Sequence, residues 1–308
     1  MRLSAITDEI SQDLDAALRV CESLGVETVE LRMVDGTQLV DHDPATVRRV
    51  CSAIRGGGFG CAVVDTPFLK AAPVGEAVSE AEWATLRRGL ELAAELGAGT
   101  VRVFSGARPR RSARGAAHVA GAAPNEEGAA SREPLGAEPR EPLRAELREP
   151  PPFDARWTAD ALARTVELGA EADVRVALEI EWECAVATRA EAAALLAAMP
   201  ADGLGIVWDP GNEARFIGAA PRPDVDAAVR DRIVHVHVKD VDARGRWTRP
   251  GNGLVDWRAE LRSLAAAGYD GLLSLETHYS LPDGGLPAAT HESAAALRAL
   301  AAAEGIAL

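Results

Sequence analysis

Eight short apolar runs recur along this sequence, at residues 2–7, 28–32, 61–65, 100–105, 174–181, 204–209, 233–240 and 272–276. Between most of them lie stretches whose apolar residues fall three and four apart: Leu14, Ala17, Leu18 and Cys21 before Gly25, then residues 44–54, 80–96, 159–172, 189–199 and 258–267. A short apolar strand followed by a helical stretch marks a βαβ unit, because parallel strands need long crossover connections. Eight such units in 308 residues predict an α/β fold, a (β/α)8 TIM barrel, organised as one domain over the whole chain. Strands of such a barrel turn apolar residues outward to the helices. Polar residues of the opposite parity must then point inward, with the last of them at the C-terminal mouth.

The seventh run, IVHVHVKD at 233–240, shows this parity most clearly. Val234, Val236 and Val238 share one face, and His235, His237 and Lys239 share the other. That strand alone leaves two readings open: a pair of hydrogen-bonded core histidines, or a chemical site with His237 nearer the mouth. Neighbouring strands bear on the choice. Glu179 in VRVALEIE, Asp209 in the run ending WDPGN, and Glu276 in the last run all fall near a strand's C-terminal end, with apolar neighbours on the opposite parity. The WDPGN stretch itself reads as a turn. Three inward carboxylates would repel one another and resist ionisation unless a cation accompanied them. A divalent ion supplies that charge. Three oxygen ligands and one imidazole suit Mn²⁺, Mg²⁺ or Co²⁺ better than a closed structural zinc site, although Zn²⁺ also accepts such donors.

Charge and cysteine usage narrow the function classes. With 33 basic against 47 acidic residues and a formal charge of -14, the surface is poorly suited to phosphate backbones, so no nucleic-acid partner is expected. Cys21, Cys51, Cys61 and Cys184 are scattered without a CxxC spacing, which points to small buried residues in a reducing compartment. The sequence starting MRLSAITDEIS has no apolar targeting segment, and no run of about 18 apolar residues follows, so a cytoplasmic protein without a membrane partner is expected. Only Lys70 and Lys239 are lysines, arginine serving every other basic position. Lys239 has the parity of His237 and lies just above it. Residues 107–152, with the near-repeats REPLGAEPREPLRAELREP, break every period and read as a low-complexity, solvated insertion after the fourth strand.

Taken in order, TDEIS, VELR, VALEIE, VWDPGN, VHVKD, PGNGLVDW and LSLETHY resemble the xylose isomerase-like TIM barrels of the AP endonuclease family 2 superfamily. That group includes sugar phosphate isomerases and epimerases, tagatose-type ketose epimerases, inosose dehydratases and endonuclease IV. The resemblance spans the chain outside the insertion. It implies one divalent metal held by Glu179, Asp209, His237 and Glu276, with Glu179 and Glu276 also exchanging protons with a ketose. The implied reaction is metal-dependent isomerisation or epimerisation of a small sugar, sugar phosphate or polyol, by proton abstraction next to a carbonyl through a metal-stabilised enediolate. A lyase of the inosose or 3-dehydroshikimate dehydratase type starts from the same chemistry, and a non-catalytic sugar-binding barrel is a third class. Lys239, Asn212, Glu181 and His278 are the expected substrate contacts, followed by Arg32, Glu30 and Lys70. Where many relatives carry an imidazole two residues after the strand-five glutamate, this chain has Glu181, so substrate identity does not carry over. Many relatives are dimers or tetramers; no self-complementary apolar surface is legible here, and a homo-oligomer stays open.

Overall fold

The computed structural model describes residues 1–108, 155–199, 203–222 and 227–308. Eight parallel strands form the barrel: β1 (Arg2–Ala5), β2 (Thr28–Leu31), β3 (Gly60–Asp65), β4 (Thr100–Val103), β5 (Arg175–Glu179), β6 (Gly205–Trp208), β7 (Ile233–Val238) and β8 (Leu272–Leu275). From β2 to β8 each strand pairs with the next in sequence, and β8 pairs with β1. Between β1 and β2 the ring is closed by one parallel bridge, Ile6 to Glu30, and by the Ser4 hydroxyl donating to Thr28 O at 2.8 Å. The fold is a (β/α)8 barrel.

Around it run α1 (Leu14–Ser23), α2 (Pro44–Gly56), α3 (Glu80–Leu96), α4 (Ala155–Glu171), α5 (Arg189–Ala198), α6 (Pro210–Ile217), α7 (Ala227–Arg230), α8 (Trp257–Ala266) and α9 (Gly285–Ala303). Their starts are encoded locally. Asp13, Asp43, Ser79, Thr188 and Asp256 each accept a backbone N–H of the first turn, satisfying donors that have no partner within the helix. The main core lies between the outward strand faces, such as Val101, Val176, Leu178, Ile206, Val236 and Leu273, and buried helix residues such as Leu18, Val50, Leu86, Leu162 and Leu261.

Alternate residues face the barrel interior in registered layers. Asp65 pairs with Arg102, and Arg102 with Ala177; Glu179 pairs with Val207, and Val207 with His235; His237 pairs with Ser274, and Ser274 with Ser4. An interior usually filled by branched apolar residues is here polar toward one end.

Several boundaries differ from the sequence reading. WDPGN is no free turn: Asp209 caps α6, its Oδ1 accepting from Asn212 N at 2.8 Å, with Pro210 in the first helical turn, where a missing N–H costs nothing. The seventh strand ends at Val238, and Asp240–Val241 instead begins a hairpin with Trp247–Thr248. The helix α9 has no counterpart in the expected elements, because its alanine-rich sequence lacks a strong apolar stripe. Ala107 and Arg108, assigned to the insertion, belong to the rim: Ala107 bridges Pro73 and Cys184, and Arg108 donates to Cys184 O and Ala185 O. The rest of the expected insertion, from residue 109, lies outside the described residues. All four cysteines are buried and unpaired. Among the described residues, no helix is long and apolar enough to cross a membrane.

Candidate metal centre

The C-terminal ends of β5 to β8 converge on the His237 ring. From its Nδ1, Glu179 Oε1 lies at 3.4 Å, Asp209 Oδ2 at 3.6 Å and Glu276 Oε2 at 3.4 Å. The four residues are almost wholly buried, and their nearest donor atoms lie within 4.8 Å of one another. Among the described residues, no hydrogen bond reaches His237 Nδ1, and none of proper geometry reaches Asp209 Oδ2, although the Lys239 ammonium is 2.9 Å from that oxygen. Buried polar atoms left in this way are costly. One nitrogen and three carboxylate oxygens around a common point are the donor set of a divalent cation, so the residues present fit a metal.

Two further groupings of possible ligands share members with this one: Glu30, His235 and His237 below it, and Glu9, Glu276 and His278 beside it. Both are already satisfied within the protein. The Glu30 oxygens are bonded to the two imidazoles, and the Arg32 guanidinium pairs with Asp8, Glu9 and Glu276.

Cationic side chains hold the carboxylates in place. Glu276 Oε2 accepts from Lys239 Nζ at 2.6 Å, and its Oε1 faces Arg32 NH1 at 2.9 Å and His278 Nε2 at 3.1 Å. Burial alone would raise the Glu276 carboxyl, but Lys239 and His278 hold it well below its ordinary range. Glu179 Oε2 pairs with Arg102 Nε at 3.1 Å, while Asn212 Nδ2 donates to Oε1 at 3.1 Å. Burial again opposes ionisation, and Arg102 with His237 brings the Glu179 carboxyl down to about 2. The cations beside them thus hold both carboxyls in the ionised form at neutral pH.

The expected substrate contacts separate by depth. Lys239, 2 % exposed, is bound to Asp209 and Glu276, and its stem passes where a Cβ on Gly211 would come within 2.6 Å. Asn212 is fully buried, with its amide nitrogen used on Glu179, Ile180 O and Glu181, so it orders the carboxylates rather than opening onto the mouth. Glu181 is buried beside it, and burial raises its carboxyl against the pull of Lys70, 3.9 Å away. Lys70 is exposed at the rim, 4.9 Å from the Phe104 ring centroid. His278 is partly open, with φ of 53° and its ring 5.1 Å from that of Trp247. Glu30 is completely buried under His237, with both oxygens occupied by the two imidazoles.

Arg102, Asp65 and Glu9 were not anticipated. Arg102 Nε donates to Asp65 Oδ1 at 3.1 Å and NH1 donates to Thr66 O at 2.8 Å, so one guanidinium ties β3, β4 and Glu179 together. An arginine between two valines of a central strand carries the same parity signal as His237. Glu9 sits in a 3-10 turn after β1, where no period places it. The VKD and PGNG motifs are explained by Asp240, whose carboxylate accepts from the backbone N–H groups of Val241, Gly251, Gly253 and Val255 at 2.8–3.1 Å. A Cβ at residue 253 would stand 2.2 Å from Asp240 Oδ1, so glycine is required there. The same loop brings Trp247 to the mouth, where Arg215 lies between the rings of Trp182 and Trp247 at 4.4 and 4.8 Å.

The fold has counterparts among solved structures. The structure is similar to that of a xylose isomerase-like TIM barrel/4-hydroxyphenylpyruvate dioxygenase fusion protein, with a TM-score of 0.70 and 18 % identity over 99 % of this chain, which spans 43 % of that one. It is similar to a D-tagatose 3-epimerase-like protein, with a TM-score of 0.70 and 15 % identity over 99 % of this chain and 98 % of the other. It is also similar to the probable 3-DHS dehydratase AsbF of Bacillus anthracis, with a TM-score of 0.66 and 16 % identity over 97 % and 98 % of the two chains. At these identities the likeness is one of fold. No curated protein matches the sequence. The family model described as xylose isomerase-like TIM barrel matches residues 18–300. The chain belongs to the xylose isomerase-like TIM barrel family.

Proposed function

We propose that this protein is a divalent-metal-dependent isomerase or epimerase of a small sugar or polyol. The observation that carries the proposal is the convergence of Glu179, Asp209 and Glu276 on the unpartnered Nδ1 of His237, with the two glutamates on opposite sides of that ring's strand. Glu179 and Asp209 belong to the β5–β6 side of β7, and Glu276 follows β8 on the other side. A ketose above His237 therefore meets a carboxylate from each side. One glutamate takes the proton from the carbon next to the carbonyl; as the acid so formed it returns that proton to the neighbouring carbon in an isomerisation, whereas in an epimerisation the second glutamate, after taking up a proton from solvent, delivers it to the opposite face of the same carbon.

A divalent cation held by the four side chains would polarise the carbonyl and hydroxyl oxygens and so acidify the carbon between them. The protein's own cations prepare the acceptors. Arg102 and Asn212 fix Glu179, and Arg32, Lys239 and His278 fix Glu276, so little reorganisation accompanies proton transfer. Lys239 and His278 then bind substrate hydroxyls at the mouth, and Trp247 walls the site from solvent.

The dehydratase-like neighbour keeps β-elimination as the alternative outcome of the same proton abstraction. A screen of ketoses, their phosphates and inososes in deuterated water separates the readings. Solvent deuterium in recovered or epimerised substrate supports the isomerase or epimerase. Loss of water from the substrate, giving a dehydrated product, supports the lyase, and no exchange with any compound contradicts both.

A further inference from the structure

Glu30 is a carboxylate placed where an apolar residue would fold more cheaply. It lies inside the barrel, 0 % exposed, and no solvent reaches it to offset the loss of hydration. Both oxygens are used. Oε2 lies 2.9 Å from His235 Nε2 and Oε1 lies 3.0 Å from His237 Nε2. An ionised carboxylate can only accept, so both Nε2 atoms carry protons. The His235 and His237 rings are perpendicular, with centroids 5.6 Å apart, so each occupies a different oxygen without crowding the other.

We propose that Glu30 is a positioning residue that commits His237 to bind the cation through Nδ1, with His235 as the second anchor that keeps the carboxylate centred. With Nε2–H engaged below, the ring can turn only Nδ1 toward Glu179, Asp209 and Glu276, and Nδ1 is the atom left without a hydrogen bond. A carboxylate behind a ligating imidazole fixes its tautomer and raises its basicity. The inference rests on the divalent-cation reading of the mouth and adds to it a residue from the opposite side of the barrel.

The test uses the full chain loaded with Zn²⁺ as a diamagnetic probe. Long-range ¹H–¹⁵N NMR of the wild-type imidazoles should show His237 protonated at Nε2 with Nδ1 carrying the metal shift, and His235 protonated at Nε2. In Glu30→Gln the amide accepts from one ring only and presents N–H to the other, so chelator-competition titration with Zn²⁺ and Mn²⁺ should give roughly 10–100-fold weaker binding, with the far-ultraviolet circular dichroism of the wild type. Wild-type protein that takes up no metal overturns both this inference and the functional reading. Normal loading of wild type with equal affinity in Glu30→Gln overturns this inference alone. So does a wild-type His237 that binds through Nε2, a measurement that stands even if the variant fails to fold.

Discussion

Lys239 Nζ lies 2.6 Å from Glu276 Oε2 and 2.9 Å from Asp209 Oδ2, so one ammonium touches two of the oxygens that converge on His237 Nδ1. Burial would lower the Lys239 pKa, but the Asp209 and Glu276 carboxylates raise it above its ordinary value. The lysine is therefore a permanent cation inside the acidic mouth. In Lys239→Met the two carboxylates lose that partner, and breaking a buried pair in this way costs about 3–5 kcal/mol. A divalent cation bound at the proposed centre would replace the missing charge, so the variant should be strongly destabilised in chelator and much less so in excess Mn²⁺. Denaturant unfolding under both conditions checks this; equal destabilisation in both would show that Lys239 does not share its partners with the cation.

Arg102→Met should be destabilising by a similar amount, about 3–5 kcal/mol, because Asp65 and Glu179 would each lose a buried guanidinium. Arg102→Lys should recover only part of the loss, since a single ammonium cannot reproduce contacts to Asp65, Thr66 O and Glu179 together. Full recovery by lysine, measured by thermal and denaturant unfolding, would mean that charge alone matters at this position.

Glu276→Gln should keep the fold and reduce turnover by about 10²–10⁴-fold, the usual contribution of a positioned acid or base. The amide oxygen can still accept from Lys239 on one side or from Arg32 and His278 on the other, but not from both, and it cannot take a proton from carbon. Circular dichroism and steady-state rates on whichever substrate exchanges deuterium provide the check, and full activity in this variant would remove Glu276 from the proton-transfer role.

Much of the mouth is legible in the sequence because strand parity is a strong constraint. His237 between valines, Glu179 in VALEIE and Glu276 after LLSL could face only inward once the strands were assigned. Height is less legible than direction. The β2–β3 pairing shifts register between Val29 and Glu30, and such irregularities reset the level of every residue that follows; Glu30 therefore sits below His237 instead of at the mouth. The pairing of Asp65 with Arg102 depends on the register of two strands that no local pattern reports. Glu9 and Trp247 come from a turn and a loop hairpin, whose paths are set by contacts such as the four N–H groups on Asp240. The α6 start shows a different gap: Asp209-Pro210 reads equally as a turn or as an N-cap with Pro at the first helical position, and only the Asp209–Asn212 hydrogen bond separates them.

Away from the mouth, Glu260 predicts a pH dependence. It is 2 % exposed and accepts from Trp208 Nε1 at 3.1 Å, and burial outweighs the pull of Arg189 to raise its carboxyl from 4.5 to about 7. Between those values the folded protein holds a proton that the unfolded chain has released, so this group makes stability fall as pH rises from about 4.5 through about 7. Glu260→Gln keeps the acceptor for Trp208 and removes the titration. The substitution should stabilise at pH 8 by up to about 3 kcal/mol and change little at pH 4. Equal effects at both values, measured by urea unfolding, would place the Glu260 carboxyl in its ordinary range.

The most direct test of the cation centre is titration of chelator-stripped protein with Mn²⁺, followed by electron paramagnetic resonance of free ion. One ion should bind per chain in the wild type, and His237→Gln and Asp209→Asn should each abolish or severely weaken uptake while retaining the circular dichroism of a folded barrel. Wild-type protein that binds no ion, or variants that bind it as tightly as the wild type, would contradict a metal centre at Glu179, Asp209, His237 and Glu276.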